Sequence, residues 1–209
     1  MKVGILGSGD VAKSLAKGFL KEGHTVKLGS REPAKLTSWV QEAGNNASCG
    51  AVSETAKFGD LIVLAVSGAA AVQAIQMAGA DNFKGKLVLD ATNPLDSMPP
   101  KLIGGLGSSG GELIQAALPG ASVVKAFNSV GHPEFYKPQF AAGPPDMFIC
   151  GDDPKAKEQA SSICKAFGWN PVDVGGIGVS HYLEAAAMVW ILTASAGGHW
   201  HQAFRLLRK

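Results

Sequence analysis

The 209-residue chain has only three cysteines, and they lie far apart in sequence, at positions 49, 150 and 164. It contains no Cys-x-x-Cys pair, and an odd number of cysteines cannot all pair within one chain. This usage is typical of reduced thiols in a cytosolic protein rather than of a disulfide framework or a structural zinc site. We therefore expect a cytoplasmic protein whose cysteines lie mostly in its core.

The chain also lacks an excess of charge of either sign and a long hydrophobic run. Its 19 basic and 17 acidic residues give a formal net charge of +2, which favours no strong attraction to nucleic acid or membrane. The longest apolar stretch, 185–194, is shorter than the roughly 20 residues that a membrane-spanning helix needs. A strand predicted from residue 2 leaves no room for a signal peptide. We expect a soluble protein with no nucleic-acid and no membrane partner.

Several catalytic motifs are missing. There is no Tyr-x-x-x-Lys, because Phe140 lies four residues after Tyr136 and Ala186 lies four residues after Tyr182. There is also no Gly-x-Ser-x-Gly nucleophile turn and no His-x-x-x-His or Cys/His cluster for a metal. The sequence therefore predicts no metal site and no serine nucleophile.

The most informative feature present is a glycine pattern, G-x-G-x-x-A, in the run KVGILGSGDVA at residues 2–12. It follows a short apolar strand. Gly7 permits a tight turn, Gly9 lets the backbone approach a pyrophosphate, and Ala12 lets the next helix pack close to the strand. We expect Asp10 to cap that helix, whose free N–H groups and dipole favour phosphate. The pattern predicts a dinucleotide-binding βαβ unit.

The residues after the second predicted strand indicate which nucleotide is bound. An acidic residue about 20 residues after the glycines holds the ribose 2′-hydroxyl in NAD enzymes, whereas an arginine accommodates a 2′-phosphate. Here Ser30 and Arg31 follow the strand and Lys35 lies one turn further on, a set suited to a dianionic phosphate. Glu32 competes as a ribose ligand, although its place before Pro33 fits the start of a helix. NADP(H) is favoured; the alternative is that Arg31 and Lys35 are solvated surface charges.

Apolar strands alternate with helices along the chain. The continuous apolar run DLIVLAV at 60–66 is typical of a strand buried on both faces. A Ser109…Glu112 capping box opens a helix predicted at 112–118, and the glycine-rich segment 104–111 is expected to be a loop. Strands are predicted at 3–6, 24–28, 47–50, 60–66, 86–91, 122–127, 147–151 and 171–174.

This alternation predicts an α/β fold with a Rossmann-type, doubly wound and mostly parallel sheet and a short C-terminal helical extension. We expect a single NADP-binding domain over residues 1–209. Its core dinucleotide-binding fold would occupy 1–150, and a final helix–strand–helix extension would occupy 151–209.

Ligands of such sheets bind at the carboxyl ends of the strands. Small or amide side chains follow three of these ends and would leave room for a flat nicotinamide and a flat acceptor: Val66 and Ser67, Asn93 and Pro94, and Asn128. The alternative is that Asn93 and Asn128 only form turns at the strand ends. His132 and His181 fit ordinary loop or cap positions better than a catalytic role.

The missing motifs also bear on the reaction. Reduction of a carbonyl normally requires a positioned proton donor. Hydride transfer from a nicotinamide to a flavin-like ring needs mainly proximity and orientation, because the cofactors carry the chemistry. The sequence therefore favours a cofactor-to-cofactor reductase without a catalytic side chain, in which Ser67, Asn93, Pro94 and Asn128 line the crevice.

Six motifs recur in order in NADP oxidoreductases that depend on the deazaflavin coenzyme F-420 (F420): GILGSGD at 4–10, GSREP at 29–33, DATNP at 90–94, VVKAFN at 123–128, CGD at 150–152 and PVDVG at 171–175. The chain resembles even more the cytosolic NADPH-binding domains of the six-transmembrane (STEAP) metalloreductases. The deazaflavin enzymes have a histidine where this chain has Asn128.

The resemblance implies a homodimeric NADPH reductase that passes hydride to a small-molecule acceptor, either F420 or a flavin (FMN or FAD), with ferric chelates as a further candidate. It implies that Ser8, Gly9, Asp10 and Val11 contact the phosphates and that Ser30, Arg31 and Lys35 bind the 2′-phosphate. The loops at Ser67, Asn93 and Asn128 would line the nicotinamide and acceptor crevice.

The apolar C-terminal helix, from Tyr182 to Leu192, is predicted to pack partly against a second subunit, together with Trp200, Phe204 and Leu207. Two other functions remain open. One is an imine or ketone reductase that takes a proton donor from a partner chain. The other is an NADP-binding sensor module without turnover.

Overall fold

The computed structural model describes residues 1–96, 100–103 and 109–209. Its helices are α1 (Asp10–Lys21), α2 (Thr37–Ala43), α3 (Val52–Phe58), α4 (Ala71–Ala78), α5 (Gly110–Ala117), α6 (Pro154–Ala166) and α7 (Ser180–Gly197). Its strands are β1 (Lys2–Leu6), β2 (Thr25–Gly29), β3 (Ala47–Gly50), β4 (Leu61–Leu64), β5 (Leu87–Asp90), β6 (Leu95–Asp96), β7 (Lys101–Leu102), β8 (Ser122–Lys125), β9 (Asp146–Gly151) and β10 (Asn170–Asp173).

Eight strands form one sheet in the order β10-β9-β8-β5-β4-β1-β2-β3. Neighbouring strands are parallel except for β8 and β9, which are antiparallel. The chain leaves β1 toward β2 and β3 on one side and returns to β4 on the other, so the strand order reverses beside β1. The predicted Rossmann-type, mostly parallel sheet is confirmed, and the reversal places a ligand crevice at the carboxyl ends of β1 and β4. The short antiparallel pair β6–β7 was not predicted.

Helices cover both faces of the sheet, which explains the continuous apolar runs. Val3 and Ile5 pack into one core cluster with the apolar side of α1, whereas Leu6 belongs to a second cluster with residues of α4 and α5. All four residues of β4 are buried, as expected for a strand covered on both sides.

The two predicted helix starts have different outcomes. Ser109 caps α5 as predicted, because its Oγ accepts from the Glu112 N–H at 3.0 Å and donates to the Glu112 carboxylate at 2.8 Å. The helix begins at Gly110, inside the segment predicted as a loop, and residues 104–108 of that segment lie outside the described residues. The prediction that Asp10 caps α1 is wrong. Gly9 is the capping residue, and Asp10 is already in the first turn, where its carboxylate can act only on the helix dipole.

The three cysteines are free, with Cys150 and Cys164 buried and Cys49 half-buried. Burial raises the pKa of the Cys150 thiol to about 12, and it does the same for Cys164. Both thiols therefore stay protonated and unreactive at neutral pH, consistent with a role in core packing.

Among the described residues, the segment Ile177–Gly197 is long and apolar enough to cross a membrane by length and composition alone, with a mean hydropathy of 1.3. A helix that packs in a protein core meets the same criterion. In the fold, Leu183, Ala187 and Trp190 of this segment are buried, and Tyr182 is exposed. One side of α7 is therefore packed on the domain, and the opposite side is uncovered.

Candidate functional site

A pocket of about 520 Å³ lies at the carboxyl ends of β1, β2 and β4. The strand-order reversal beside β1 opens it, and the start of α1 and the loop after β2 flank it. It is lined by Leu6, Gly7, Ser8, Gly9, Lys13, Gly29, Ser30, Arg31, Glu32, Lys35, Leu36, Val52, Ala65, Val66, Ser67, Ala70, Gln73, Ala74 and Met77.

The two glycines of the N-terminal motif have different structural roles. Gly7 has a φ of +143°, its N–H donates to the Gly29 carbonyl at 2.9 Å, and a Cβ there would overlap the Ala65 carbonyl. Gly9 is exposed, and a Cβ built on it meets nothing within 4 Å. Gly7 is therefore required by the fold, whereas a side chain at Gly9 would only fill the open crevice. That open space beside the N-terminus of α1 suits a pyrophosphate.

The far end of the pocket carries the predicted phosphate set. The Ser30 Oγ accepts from the Glu32 N–H at 3.1 Å, which orders the loop after β2. Lys35 forms an ion pair with Glu32, with Nζ 2.8 Å from Oε2. In the part of the chain that the structure describes, the exposed Arg31 has no ion-pair partner. The pocket therefore presents one free guanidinium and one ammonium already shared with a carboxylate.

Glu32 caps the short 3₁₀ turn Pro33–Leu36, with Pro33 in its first position, as the sequence predicted. Its carboxylate nevertheless faces the pocket and engages Lys35. A bound 2′-phosphate would therefore compete with Glu32 for Lys35, and Glu32 would offer an acceptor to a ribose hydroxyl.

Sequence reasoning missed one wall of this pocket. Gln73, Ala74 and Met77 of α4 line it, and Met77 is 48% exposed. Lys13 of α1 also lines it. A methionine on the outer face of a short helix was the available signal, since an exposed apolar side chain often covers a ligand.

A second group of predicted residues forms a hydrogen-bonded pair of amides, in which Asn128 is buried and Asn93 is half-buried. Asn93 Nδ2 donates to the Asn128 carbonyl at 2.7 Å, and Asn128 Nδ2 donates to Asn93 Oδ1 at 2.9 Å and to the Leu183 carbonyl at 2.9 Å. Because each amide nitrogen faces oxygen atoms, the network fixes the orientation of both side chains. We call Asn93 and Asn128 the amide pair.

The backbone around the amide pair is tightly constrained. Phe127, directly before Asn128, has a φ of +61°, which is uncommon for a residue other than glycine. Its side chain is buried against the rings of Phe135 and Phe167, with centroids 5.7 Å away in each case. A Cβ on Gly68 would overlap the Asn93 carbonyl, so the loop after β4 lies directly on the loop after β5. Core packing therefore holds the amide pair next to the Ser67 side of the crevice.

The structure brings eight of the predicted site residues together in the pocket: Gly7, Ser8, Gly9, Ser30, Arg31, Lys35, Val66 and Ser67. Asn93, Pro94 and Asn128 lie outside its lining, in the adjoining strand-end loops. Asp10 and Val11 are at the start of α1 and do not line the pocket either. The roles of all these residues as ligands stay predictions.

The side chains considered as proton donors have other partners. His132 Nδ1 is 3.2 Å from Ser14 Oγ, and His181 Nδ1 is 2.9 Å from the Gly178 carbonyl. Tyr136 donates to Glu22 at 2.7 Å, and this hydrogen bond holds the pKa of the Glu22 carboxyl below its usual value. None of the three lines the pocket.

Comparison with known proteins agrees with this geometry. The family model described as NADP oxidoreductase, coenzyme F420-dependent, matches residues 2–94. A crystal structure from Arthrobacter sp. FB24, provisionally named an F420-dependent NADP reductase, is 32% identical with a TM-score of 0.95, and each chain covers 100% of the other. The chain belongs to this family. It is thus an NADP-dependent oxidoreductase by family, and the predicted resemblance is confirmed.

Two other relatives extend the comparison. Metalloreductase STEAP3 of Rattus norvegicus is 32% identical over 191 residues, which are 88% of this chain and 36% of the metalloreductase. The chain therefore spans only about a third of the length of this curated relative. A reductive aminase from Aspergillus terreus, solved with NADPH and ethyl levulinate, has a TM-score of 0.71 at 19% identity, over 94% of this chain and 62% of the aminase. At that identity the likeness concerns the fold alone.

The pocket fits the nucleotide of the family. It combines an open cradle at Gly9, a free guanidinium and a wall from α4, which are the features that a phosphorylated dinucleotide requires. Arg31 and Lys35 would hold its 2′-phosphate, and the backbone at Ser8 and Gly9 would hold its pyrophosphate.

Arg31→Ala should remove most of the preference for NADPH. We expect the wild-type protein to bind NADPH at least about tenfold more tightly than NADH, because a charge-assisted bidentate contact to phosphate is worth roughly 1.4 kcal/mol or more. Calorimetric dissociation constants for both nucleotides check this. Glu32→Gln is the matched variant. It frees Lys35 and should strengthen NADPH binding while NADH binding stays equal or weakens. Equal wild-type affinities for the two nucleotides would contradict the assignment.

Gly9→Val should abolish dinucleotide binding while the protein stays folded. The added side chain enters the space beside the N-terminus of α1 and clashes with no protein atom near its Cβ. Gly7→Ala is the contrasting variant, since its Cβ overlaps the Ala65 carbonyl and should destabilise the fold by about 1–3 kcal/mol. Urea unfolding and NADPH titration of both variants separate the two roles. Normal NADPH affinity in Gly9→Val would exclude a pyrophosphate at this position.

Proposed function

We propose that this protein transfers hydride between NADPH and a deazaflavin or flavin acceptor. The main support for this proposal is a pocket suited to phosphate at the strand-order reversal, next to a wall of neutral amides. A planar ring on the amide pair would meet hydrogen-bonding groups and small side chains, and none of the candidate proton donors lines the pocket. Such a site suits alignment of two cofactor rings more than acid–base catalysis.

Bound NADPH supplies the hydride, and the residues of the chain orient the nucleotide. Arg31, Lys35 and the backbone at Gly9 hold its phosphates, which fixes the nucleotide along the carboxyl ends of the strands. Ser67, Asn93 and Asn128 then meet the nicotinamide end, where the rigid amide network leaves few orientations for the carboxamide. The chain itself forms no covalent bond with the substrate.

The acceptor is identified by an anaerobic screen of NADPH oxidation against F420, FMN, FAD, a ferric chelate and a cyclic imine. We expect F420 or a flavin to be reduced most rapidly, because their flat rings can stack on the nicotinamide without a protein proton donor. Turnover of the imine alone would favour the imine reductase alternative. Tight NADPH binding without turnover of any acceptor would favour the sensor alternative.

No single ionisable side chain should be indispensable for the reaction. His132→Ala, His181→Ala and Tyr136→Phe should each keep activity within roughly a hundredfold of the wild type, the low end of what loss of a general acid costs. The measurement is NADPH oxidation with the acceptor found in the screen, with the NADPH dissociation constant as control. A fall beyond about a thousandfold in one variant, at unchanged NADPH affinity, would show that proton transfer is essential and would favour a carbonyl or imine substrate.

We further propose a soluble, cytoplasmic homodimer that associates through the uncovered side of α7. Tyr182, Val189 and Leu192 are more than half exposed, at 62%, 52% and 58%, and their spacing places them on one side of the helix. Trp200 and Leu207 in the tail are also exposed, at 49% and 90%. A large apolar surface of this kind is typical of a subunit contact.

Val189→Glu should dissociate the dimer, because it places a charge in the centre of the apolar stripe. Multi-angle light scattering at micromolar concentration should give twice the chain mass for the wild type and a single chain mass for this variant. Lys17→Glu changes an exposed residue of α1 and serves as the control. A wild-type monomer under these conditions would contradict the proposal.

A further inference from the structure

A buried ionic cluster, made by Asp90, Lys125 and Glu184, adjoins the amide pair. Each of its members is at most 1% exposed. Lys125 Nζ lies 2.6 Å from Asp90 Oδ2 and 3.1 Å from Glu184 Oε1, and it donates to the Thr92 carbonyl at 2.9 Å. The Lys125 ammonium is therefore surrounded by two carboxylates and one backbone carbonyl. Burial alone would lower the pKa of Lys125, but the two carboxylates outweigh it and raise the pKa, so Lys125 is charged at neutral pH.

The two carboxylates of the cluster also accept hydrogen bonds from backbone N–H groups. Asp90 Oδ1 accepts from the Thr92 N–H at 2.9 Å and from its hydroxyl at 2.7 Å. Glu184 accepts from the N–H groups of Gly110 and Gly111, each at 3.1 Å. Thr92 is therefore held at its N–H by Asp90 and at its carbonyl by Lys125. The first turn of α5 is held by α7.

These contacts reach the amide pair from two sides. Thr92 immediately precedes Asn93, so the cluster fixes the peptide that carries the Asn93 side chain. Glu184 immediately follows Leu183, whose carbonyl accepts from Asn128 Nδ2. The bond between Glu184 and Lys125 therefore sets where the α7 backbone meets the Asn128 amide.

We propose that Glu184 is a positioning residue for the nicotinamide end of the site, acting through the amide pair. This inference rests on the proposed binding of NADPH. The members of the cluster are buried and lie outside the lining of the crevice, so they would act without touching the nucleotide. It acts by holding Asn93 and Asn128 in the arrangement that receives the carboxamide.

Stability alone is a poor explanation for the cluster. The desolvation of buried charges largely cancels their attraction, and apolar side chains of similar volume often stabilise a core equally well. Apolar residues could not, however, hold both ends of the Thr92 peptide or the N-terminal N–H groups of α5. Directional contacts to these backbone groups are what the charged side chains add.

Glu184→Gln is the direct test, because it keeps the shape and one oxygen acceptor while weakening the contact to Lys125 and removing the acceptor of one α5 N–H group. Two probes separate the ends of the site. The probe 2′,5′-ADP reports only the adenine and phosphate end, whereas the fluorescence of bound NADPH reports how rigidly the nicotinamide is held. We expect 2′,5′-ADP affinity within about twofold of the wild type, NADPH affinity lower by roughly threefold to tenfold, and loss of at least about half of the fluorescence increase on binding.

Glu112→Gln is the matched control, since Glu112 is an exposed acid in the same first turn of α5 and contacts Ser109 instead of Lys125. It should leave the affinity for 2′,5′-ADP and the affinity and fluorescence of bound NADPH unchanged. Asn128→Ala removes part of the amide pair itself. It should reproduce the loss of NADPH fluorescence expected for Glu184→Gln. The double variant should lose no more NADPH affinity or fluorescence than Asn128→Ala alone, because Glu184 acts through Asn128.

Three results would overturn the inference: unchanged NADPH fluorescence in Glu184→Gln, additive losses in the double variant, and a Glu184→Gln protein that no longer folds or no longer binds 2′,5′-ADP. Loss of folding or of 2′,5′-ADP binding would mean that the cluster only stabilises the fold. A wild-type protein that binds neither probe would instead contradict the proposed function.

Discussion

The turn between β1 and α1 is the constraint on which the rest of the site depends. Gly7 passes between the Gly29 carbonyl, which its N–H contacts at 2.9 Å, and the Ala65 carbonyl, which leaves no space for a Cβ. The turn therefore joins the ends of β1, β2 and β4 in one place. Because β1 is also where the strand order reverses, the same turn opens the crevice and directs the N-terminus of α1 into it. The phosphate cradle is a consequence of how tightly these three strand ends pack.

The two halves of the site are stabilised in different ways. The phosphate end is built from exposed charges: Lys35 is bound to Glu32, and Arg31 has no ion-pair partner among the residues that the structure describes. The amide end is held by buried groups with fixed partners, from the positive φ of Phe127 to the ionic cluster around Lys125. A phosphate binds cations strongly and from many directions, so the cations around it need not have fixed positions. Hydride transfer tolerates little misplacement, so rigidity is needed where the nicotinamide would lie.

Helix α7 connects this rigid half to the surface. Its inner side places the Leu183 carbonyl on Asn128 and Glu184 on Lys125, while Tyr182, directly before them, is 62% exposed. A subunit that packed on the outer side of α7 would therefore contact a helix whose first turn is bonded to the amide pair. The proposed dimer and the proposed positioning role would then share one structural element.

Local sequence patterns were sufficient for much of the fold. The apolar run at 60–66 predicted the buried strand Leu61–Leu64, and the Ser109…Glu112 pattern predicted the cap of α5. The placement of Asp10 was wrong by one residue, because a glycine can occupy the capping position with no side-chain contact and the pattern does not show this.

The sequence by itself determined the class of the fold, the phosphate motif and the cations that follow β2, because each depends on residues close together in the chain. The tertiary structure decided the wall from α4, the pairing of Asn93 with Asn128 and the cluster that joins Asp90, Lys125 and Glu184. The hydrogen bonds and ion pairs among these residues join positions 35 to 59 apart in the chain, and no local periodicity relates them. They form only when the parallel strands align their carboxyl ends and α7 packs across them, which is a property of the folded chain as a whole.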